Sequence, residues 1–386
     1  MSPLAPVVSP GPELTATQRA RFHRHVILPD LGEIGQRRLC NAKVLVIGAG
    51  GLGSPALLYL TAAGVGTIGI VDFDVVETSN LHRQVIHGHA DVGRLKAESA
   101  RDSMLAIDAD AHVVLHTDRL EPGNAVELFS QYDLILDGTD NFATRYLVND
   151  AAALAGKPYV WGSIFRFEGQ ISVFWDAAPD GRAVNYRDLY PTPPPPGTVP
   201  SCAEGGVLGV LCAAVGSIMA TEAVKLIAGL GEPLLGRLLC YDALAMTHRT
   251  IQIRKDPGVA PITELTDYDA FCGLPSAAVG GEVTADELRD ILADPTAVDL
   301  IDVREQAEWD IAHLPGARLI PMGRLRSQLQ GGQLTSERPI VLYCKVGARS
   351  AEALGWLREA GFADSRHLAE GIDGWSRRVD PSLPRY

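Results

Sequence analysis

Nowhere in this chain do two cysteines form a Cys-x-x-Cys pair; the six (Cys40, Cys202, Cys212, Cys240, Cys272 and Cys344) are scattered through 386 residues. Such spacing is no disulfide framework for a chain of this length, and a reducing cytoplasm is the expected location. Positive charge is also scarce: 34 Lys and Arg stand against 47 Asp and Glu, a formal net charge of -13. An acidic chain has little with which to neutralise a phosphate backbone or an anionic lipid surface. Neither nucleic acid nor a membrane is therefore expected as a partner. No uninterrupted apolar run is read as approaching the length of a membrane span. The stretch from Met1 to Pro12 lacks the charged start and apolar centre of a signal peptide, so residues 1–14 are expected to be a flexible tail.

What is present suffices for two hydrophobic cores, with 46% hydrophobic residues over a length that exceeds one. From Ala42 a β-branched apolar run, a glycine turn, a helical apolar pattern and a second apolar run make a βαβ unit. Further buried strands are expected at 134–136, 159–162 and 169–175. This alternation predicts an α/β fold: a doubly wound, Rossmann-like, mostly parallel sheet with antiparallel additions after residue 165. The prolines of 190–200 exclude helix and central strand, leaving a loop. Residues 206–230 read as a long apolar helix. A first domain is thus expected at 15–255. Residues 256–281 lose periodicity and read as a linker with one short anchored segment. A second, smaller α/β domain follows at 282–386, with strands at 297–301 and 340–343 and helices at 285–292 and 350–360.

Gly48, Gly50, Gly51 and Gly53 close one strand and open a helix. Glycines there let the backbone approach phosphates, and the helix N-terminus adds amide donors. Asp72 ends the second strand, where an acid accepts ribose hydroxyls. On these residues alone, NAD is as good a ligand as any other nucleotide. Three further motifs follow in order: Ser79-Asn80-Leu81-His82-Arg83-Gln84, Gly93-Arg94-Leu95-Lys96 and Asp137-Gly138-Thr139-Asp140-Asn141. With them, residues 15–255 resemble the ubiquitin-activating superfamily, most nearly the bacterial enzymes that adenylate the sulfur carriers of molybdopterin and thiamine synthesis.

That resemblance implies ATP and Mg²⁺. Arg83 and Lys96 would neutralise charge as pyrophosphate leaves, and Asp140 would stand near the metal. Ser79, Asn80, Leu81, His82 and Asn141 would surround the nucleotide, and Arg24 would be lent across a homodimer interface to the neighbour's ATP. The implied partner is a small ubiquitin-like sulfur carrier ending in Gly-Gly, whose carboxylate becomes an acyl-adenylate. Cys202 follows the proline-rich loop, in a setting of prolines and glycines that suits a nucleophile. In the resembling enzymes a cysteine there attacks the adenylate or accepts its acyl group through a disulfide-type linkage. Cys212 and Cys240 lie in apolar runs and read as core. Many members of that superfamily also hold a structural zinc with two Cys-x-x-Cys pairs. Here the corresponding places, Asn185-Tyr186-Arg187-Asp188 and 256–261, contain no cysteine. No zinc is expected, and packing of 177–190 and 254–262 is expected to replace it.

Near the other end, an apolar strand stops at Cys344, and Lys345, Val346, Gly347, Ala348 and Arg349 form the turn into a helix. Such a turn aims amides inward as an anion nest. With the helix N-terminus and Arg349 it would favour a thiolate and hold a persulfide. Together with Asp302-Val303-Arg304-Glu305, His313-Leu314-Pro315-Gly316-Ala317 and Glu370-Gly371-Ile372-Asp373-Gly374-Trp375, residues 282–384 resemble the rhodanese sulfurtransferases. Asp302 and Arg304 read as structural supports. Cysteine phosphatases share this fold with a Cys-x5-Arg loop; the Cys-x4-Arg loop here is tighter and suits sulfur better than a tetrahedral phosphate. The two resemblances together imply carrier adenylation followed by sulfur transfer from a Cys344 persulfide, giving a thiocarboxylate. Thiosulfate or a cysteine desulfurase would supply the sulfur. The alternatives are an activating enzyme that forms a Cys202 thioester for protein conjugation, and a non-enzymatic scaffold.

Overall fold

The computed structural model describes residues 4–194, 206–272, 280–336 and 338–385. They form two compact units, the first running to Tyr268 and the second beginning at Asp269. The division falls inside the stretch read as a linker. The short anchored segment within it is the helical turn Tyr268–Phe271, whose Tyr268 hydroxyl donates to Asp150 at 2.8 Å.

In the first unit the strands are β1 (Lys43–Ile47), β2 (Thr67–Val71), β3 (His112–His116), β4 (Leu134–Asp137), β5 (Tyr159–Phe165), β6 (Glu168–Phe174), β7 (Arg237–Asp242) and β8 (Thr247–Gln252). They build one sheet in the order β3-β2-β1-β4-β5-β6-β7-β8. The first five are parallel and the last three antiparallel. Val44, Leu45, Val46 and Ile47 are buried without a gap, which is why β1 reads as a continuous apolar run rather than an alternating one. From β1 the chain winds outward to β3 and then crosses to β4 on the other side. This reversal opens a crevice at the carboxyl ends of β1 and β4, where sheets of this class bind ligands.

The helix Gly209–Ala228 runs through the core of this unit, and its length and composition alone would let it cross a membrane. It is not an uninterrupted apolar run, because Ser217, Thr221, Glu222 and Lys225 break it. Its apolar stretch is 56% buried within the protein, because Gly216 brings it onto the helix Gly53–Ala62. A Cβ at Gly216 would lie 2.4 Å from Pro55 and 2.5 Å from the Leu52 carbonyl. Residues 4–14, expected as a flexible tail, are packed instead. Leu4, Val8 and Leu14 are buried, and the Val7 amide donates to the Leu226 carbonyl at 3.0 Å. Leu4 and Val8, four residues apart, join the core cluster that includes Leu226 and Ile227 of this helix.

The second unit is a five-stranded parallel sheet of β9 (Glu282–Val283), β10 (Asp299–Asp302), β11 (Arg318–Leu319), β12 (Ile340–Tyr343) and β13 (Arg366–Leu368), ordered β11-β10-β12-β13-β9. The helix Ala285–Leu292 has the expected bounds and opens on a capping box between Thr284 and Glu287. β10 starts two residues later than expected. The Asp294 carboxylate accepts the Thr296 amide at 2.8 Å and holds the preceding residues in a turn.

Candidate active sites

The glycine turn after β1 lines the crevice together with Asp72, Phe73 and Asp74 after β2 and Gly138 to Asn141 after β4. Gly53 cannot carry a side chain, because a Cβ there would meet the Gly48 carbonyl oxygen at 1.9 Å. Asp72 does not stand free. It accepts the Ala49 amide at 2.8 Å and the Asp74 amide at 2.9 Å, so it shapes the phosphate turn. Burial pushes its carboxyl up, against the pull of the Lys96 charge.

Cations gather here in an otherwise acidic chain: Arg83, Lys96, Arg119 and Arg145 line the crevice with Asp72, Asp74 and Asp140. Lys96 is buried and pairs with Asp74 at 2.9 Å. Arg83 donates to the Ser79 carbonyl at 3.0 Å and touches the His82 ring at 2.8 Å, but meets no carboxylate among the described residues. Its charge is available. Gln84 is buried at the crevice wall, and its Oε1 has no partner among the described residues. A glycine cradle, an unneutralised guanidinium and an unmet acceptor fit a nucleotide with its phosphates.

The loop after β4 is built from Asp137 upward. This carboxyl is fully buried, accepts the Thr139 amide at 3.0 Å and hydroxyl at 2.7 Å, and leaves Oδ2 unpartnered among the described residues. Burial pushes it up to about 6 even though Thr139 and Arg145 pull the other way. Arg145 donates to the Thr139 carbonyl at 3.2 Å and lies over the Phe142 and Trp161 rings. Asp140 is thereby presented, exposed and without a side-chain partner among the described residues. One carboxylate of this kind suits a cation that takes its other ligands from phosphates and water. Among the described residues no group of three or more His, Cys, Asp and Glu is arranged to hold a metal ion.

Several residues expected around the nucleotide stand apart from the crevice or also have local work. Ser79, Asn80, Leu81 and His82 do not line the crevice. Asn80 accepts the Glu77 amide at 3.0 Å and closes the turn that carries Arg83. Asn141 lines the crevice but also caps the helix Phe142–Leu154 by accepting the Thr144 amide at 2.8 Å. Arg24 is exposed on the turn His23–Val26 and does not line its own chain's crevice. Cys202 lies outside the described residues. Asp74, Gln84, Arg119, Asp137 and Arg145 were not assigned from sequence, although Arg145 sits one helical turn after Asn141 and could have been found by that spacing.

The segments that lack zinc cysteines are joined by charge rather than by packing alone. Lys255 lies 2.6 Å from Asp176 and 3.5 Å from Asp188. Asn185 donates to Asp176 at 2.7 Å, and the Asp256 amide donates to Asp188 at 3.0 Å. An ammonium thus sits between two carboxylates, tying 254–256 to 176–188. Beside it, Arg187 grips Asp150 with two bonds of 2.9 and 2.7 Å.

In the second unit β12 delivers Cys344, only 1% exposed, into the turn before the helix Ala348–Glu359. The Gly347 amide donates to its sulfur at 3.1 Å. Gly347 has φ +98°, and a Cβ would strike the Ala369 carbonyl at 1.9 Å, so only glycine fits. The carbonyls of Cys344 and Lys345 accept the amides of Ile372 and Asp373, at 2.9 and 3.0 Å, from the start of the helix Gly371–Arg378. With the carbonyls of Cys344 and Lys345 bound to that helix, the loop leaves the Gly347 N–H on the sulfur. Arg349, expected to serve that sulfur, commits two donors to Glu308 at 2.8 Å each. Burial pushes Glu308 up, but Arg349 outweighs it and holds the carboxyl below its usual range. Asp302 and Arg304 form a fully buried pair, and Arg304 also donates to the Ala312 carbonyl at 2.7 Å. They support the loop's neighbours.

The fold and the two sites define a nucleotide-binding α/β unit joined in one polypeptide to a unit that buries a thiol in an amide-lined loop. The ThiF family profile matches residues 22–260, and the rhodanese-like domain profile matches 284–378; the chain belongs to the ThiF family and carries a rhodanese-like domain. It is 63% identical to the probable adenylyltransferase/sulfurtransferase MoeZ of Mycobacterium tuberculosis, over 99% of each chain. The sulfur carrier protein adenylyltransferase of Thermus thermophilus is 52% identical over 67% of this chain and 98% of its own. The adenylyltransferase and sulfurtransferase MOCS3 of Sus scrofa is 39% identical over 100% and 90%. Among solved structures, PaaA superposes with a TM-score of 0.53 at 23% identity, over 63% of this chain and 76% of that one. MccB of E. coli with AMPCPP and MccA superposes with a TM-score of 0.56 at 19% identity, over 64% and 75%. These two likenesses concern the fold.

Proposed function

We propose that this chain adenylates the C-terminal carboxylate of a ubiquitin-like sulfur carrier ending in Gly-Gly and then converts it to a thiocarboxylate with sulfur held on Cys344. One observation carries the reading: a phosphate cradle with an unneutralised Arg83 and a buried, amide-bonded Cys344 belong to one polypeptide. The carboxylate attacks the α-phosphorus of ATP and pyrophosphate leaves, with Arg83 and Lys96 meeting the charge on the departing oxygens. Mg²⁺, when bound between phosphates beside Asp140, would add further charge neutralisation. Arg24 serves the neighbouring protomer of a homodimer.

Sulfur arrives separately. The Cys344 thiolate attacks the outer sulfur of a donor, thiosulfate or the persulfide of a cysteine desulfurase, and sulfite or the donor thiolate leaves with the bonding pair. The terminal persulfide sulfur then attacks the acyl-adenylate carbon and AMP departs, giving an acyl disulfide. A second thiolate, assigned to Cys202, attacks the Cys344 sulfur and releases the carrier thiocarboxylate. The resulting Cys202–Cys344 disulfide is reopened by an external dithiol, which suits a cytoplasmic setting.

The test is intact-mass measurement of the carrier with enzyme, ATP, Mg²⁺ and thiosulfate, alongside carrier-dependent pyrophosphate exchange. Cys344→Ala is expected to leave exchange near the wild-type rate and to abolish the mass gain of a thiocarboxylate. Asp140→Ala is expected to lose both. Loss of exchange in Cys344→Ala would reject the division of labour.

A further inference from the structure

Behind Cys344 stand two buried polar side chains that the sulfur chemistry above does not use. Ser350, on the first turn of the helix Ala348–Glu359, places its hydroxyl 3.6 Å from the Cys344 sulfur and 2.9 Å from the Gly347 carbonyl. The same oxygen lies 3.3 Å from Nδ1 of His367. His367 comes from β13, opposite Leu342 of the strand that carries Cys344. Ser350 and His367 are at most 3% exposed, so no solvent competes for these bonds.

A serine hydroxyl has a single proton and here faces three groups that could share it. While the sulfur is a neutral thiol, the Gly347 carbonyl is the best acceptor. Once it is a thiolate or a terminal persulfide, the anion becomes the strongest acceptor in the cluster. The hydroxyl can then turn to sulfur, provided another donor satisfies its oxygen. Among the described residues, His367 is the side chain placed to do so. Burial pushes His367 down, against a hydrogen bond to the Leu368 backbone, and so favours the neutral ring; donation to Ser350 places its one N–H on Nδ1. Glu282 on β9 and Arg358 on the adjoining helix bear on it with opposite signs. Around the loop the charged groups are Lys345, the Arg349–Glu308 pair and the buried Asp302–Arg304 pair.

We propose that Ser350 and His367 form a buried donor relay to Cys344, with Nδ1–H of His367 donating to the Ser350 oxygen and the Ser350 hydroxyl donating to the sulfur anion. Every proton stays on its own heavy atom; only the direction of the Ser350 hydroxyl changes. Ser350 touches the reacting sulfur, whereas His367 is a positioning residue acting through it. The relay supplies the side-chain donor expected of Arg349, two of whose donors are committed to Glu308. It rests on Cys344 being the sulfur-accepting thiol, yet it can be read on the thiol alone.

The experiment measures iodoacetamide alkylation of Cys344 in the full-length chain between about pH 6 and 9, followed by peptide mass spectrometry, with no donor or carrier added. Ser350→Ala and His367→Leu are each expected to slow alkylation near neutrality about tenfold and to move its pH midpoint upward, as loss of one hydrogen bond to an anion would. His367→Asn, whose amide N–H can take the place of Nδ1–H, should keep most of the wild-type rate. Unchanged profiles in Ser350→Ala and His367→Leu would overturn the relay. So would a His367→Asn profile as slow as that of His367→Leu, which would reveal packing rather than donation. If the alkylation pattern holds but Cys344 never gains sulfur from thiosulfate, the persulfide reading fails while the relay stands.

Discussion

Asp137 shows what it costs to hold the loop after β4 from beneath. Its carboxyl is sealed under the crevice with one oxygen on Thr139 and the other unpartnered among the described residues. It titrates near 6 in the folded chain, against about 3.9 when exposed. The folded value is the higher one, so ionisation favours the unfolded chain. The stability associated with this group is full below about pH 4 and is lost as pH rises through about 6, for a total near 3 kcal/mol. Asp137→Asn retains an acceptor for Thr139 and cannot ionise. Relative to wild type, its denaturant midpoint for the first unit should therefore rise between about pH 4 and 7, by up to about 3 kcal/mol in free energy. A difference that stays flat across that range would show that Asp137 is not the group being titrated. Such a strained carboxyl is tolerated because the loop it fixes presents Asp140.

At the scale of elements, the junction that lacks the zinc cysteines relies on Lys255. Its two carboxylates differ: Asp188 has no exposed side-chain surface, while Asp176 is about a third exposed. Removing the ammonium leaves Asp188 with the backbone amides of Asn185 and Asp256 as its remaining donors among the described residues. Lys255→Ala should cost about 1–2 kcal/mol, less than a fully buried pair because Lys255 itself is partly exposed. A chelator should leave the wild-type melting temperature unchanged; a drop on adding EDTA would put a metal where the lysine is described. This junction also marks what the sequence could and could not reveal. The missing cysteines were legible in the two segments. The replacement was not, because Lys255 and Asp176 stand 79 residues apart and no local pattern joins them. The same holds for Glu308, which takes up Arg349 from 41 residues away. By contrast, the apolar run of β1 and the glycines after it are local signals, and both the strand and the turn were found where expected. Gln84 lay within a motif that was read, but the direction of its side chain into the crevice depends on how the turn folds.

The whole molecule adds a question of subunits. Arg24 is exposed, does not line its own crevice, and lies on a surface where Ile27, Leu28 and Ile34 are each half exposed. A cation needed by a neighbour would be placed in such a way: outside its own site, on an apolar surface suited to a second copy. The proposed homodimer can be tested by complementation. Arg24→Ala and Asp140→Ala are each expected to lose pyrophosphate exchange as pure proteins, since every site then lacks either the arginine or the carboxylate. When the two are unfolded together and refolded, random pairing makes about half of the dimers mixed. In a mixed dimer the Arg24→Ala subunit keeps its own Asp140 and receives Arg24 from its partner, so one site of the two is whole. Exchange should therefore return to about a quarter of the wild-type rate. If Arg24 served its own chain, or served no site at all, the mixture would be no more active than the average of its parts. Only an arginine crossing between copies makes two inactive proteins active together.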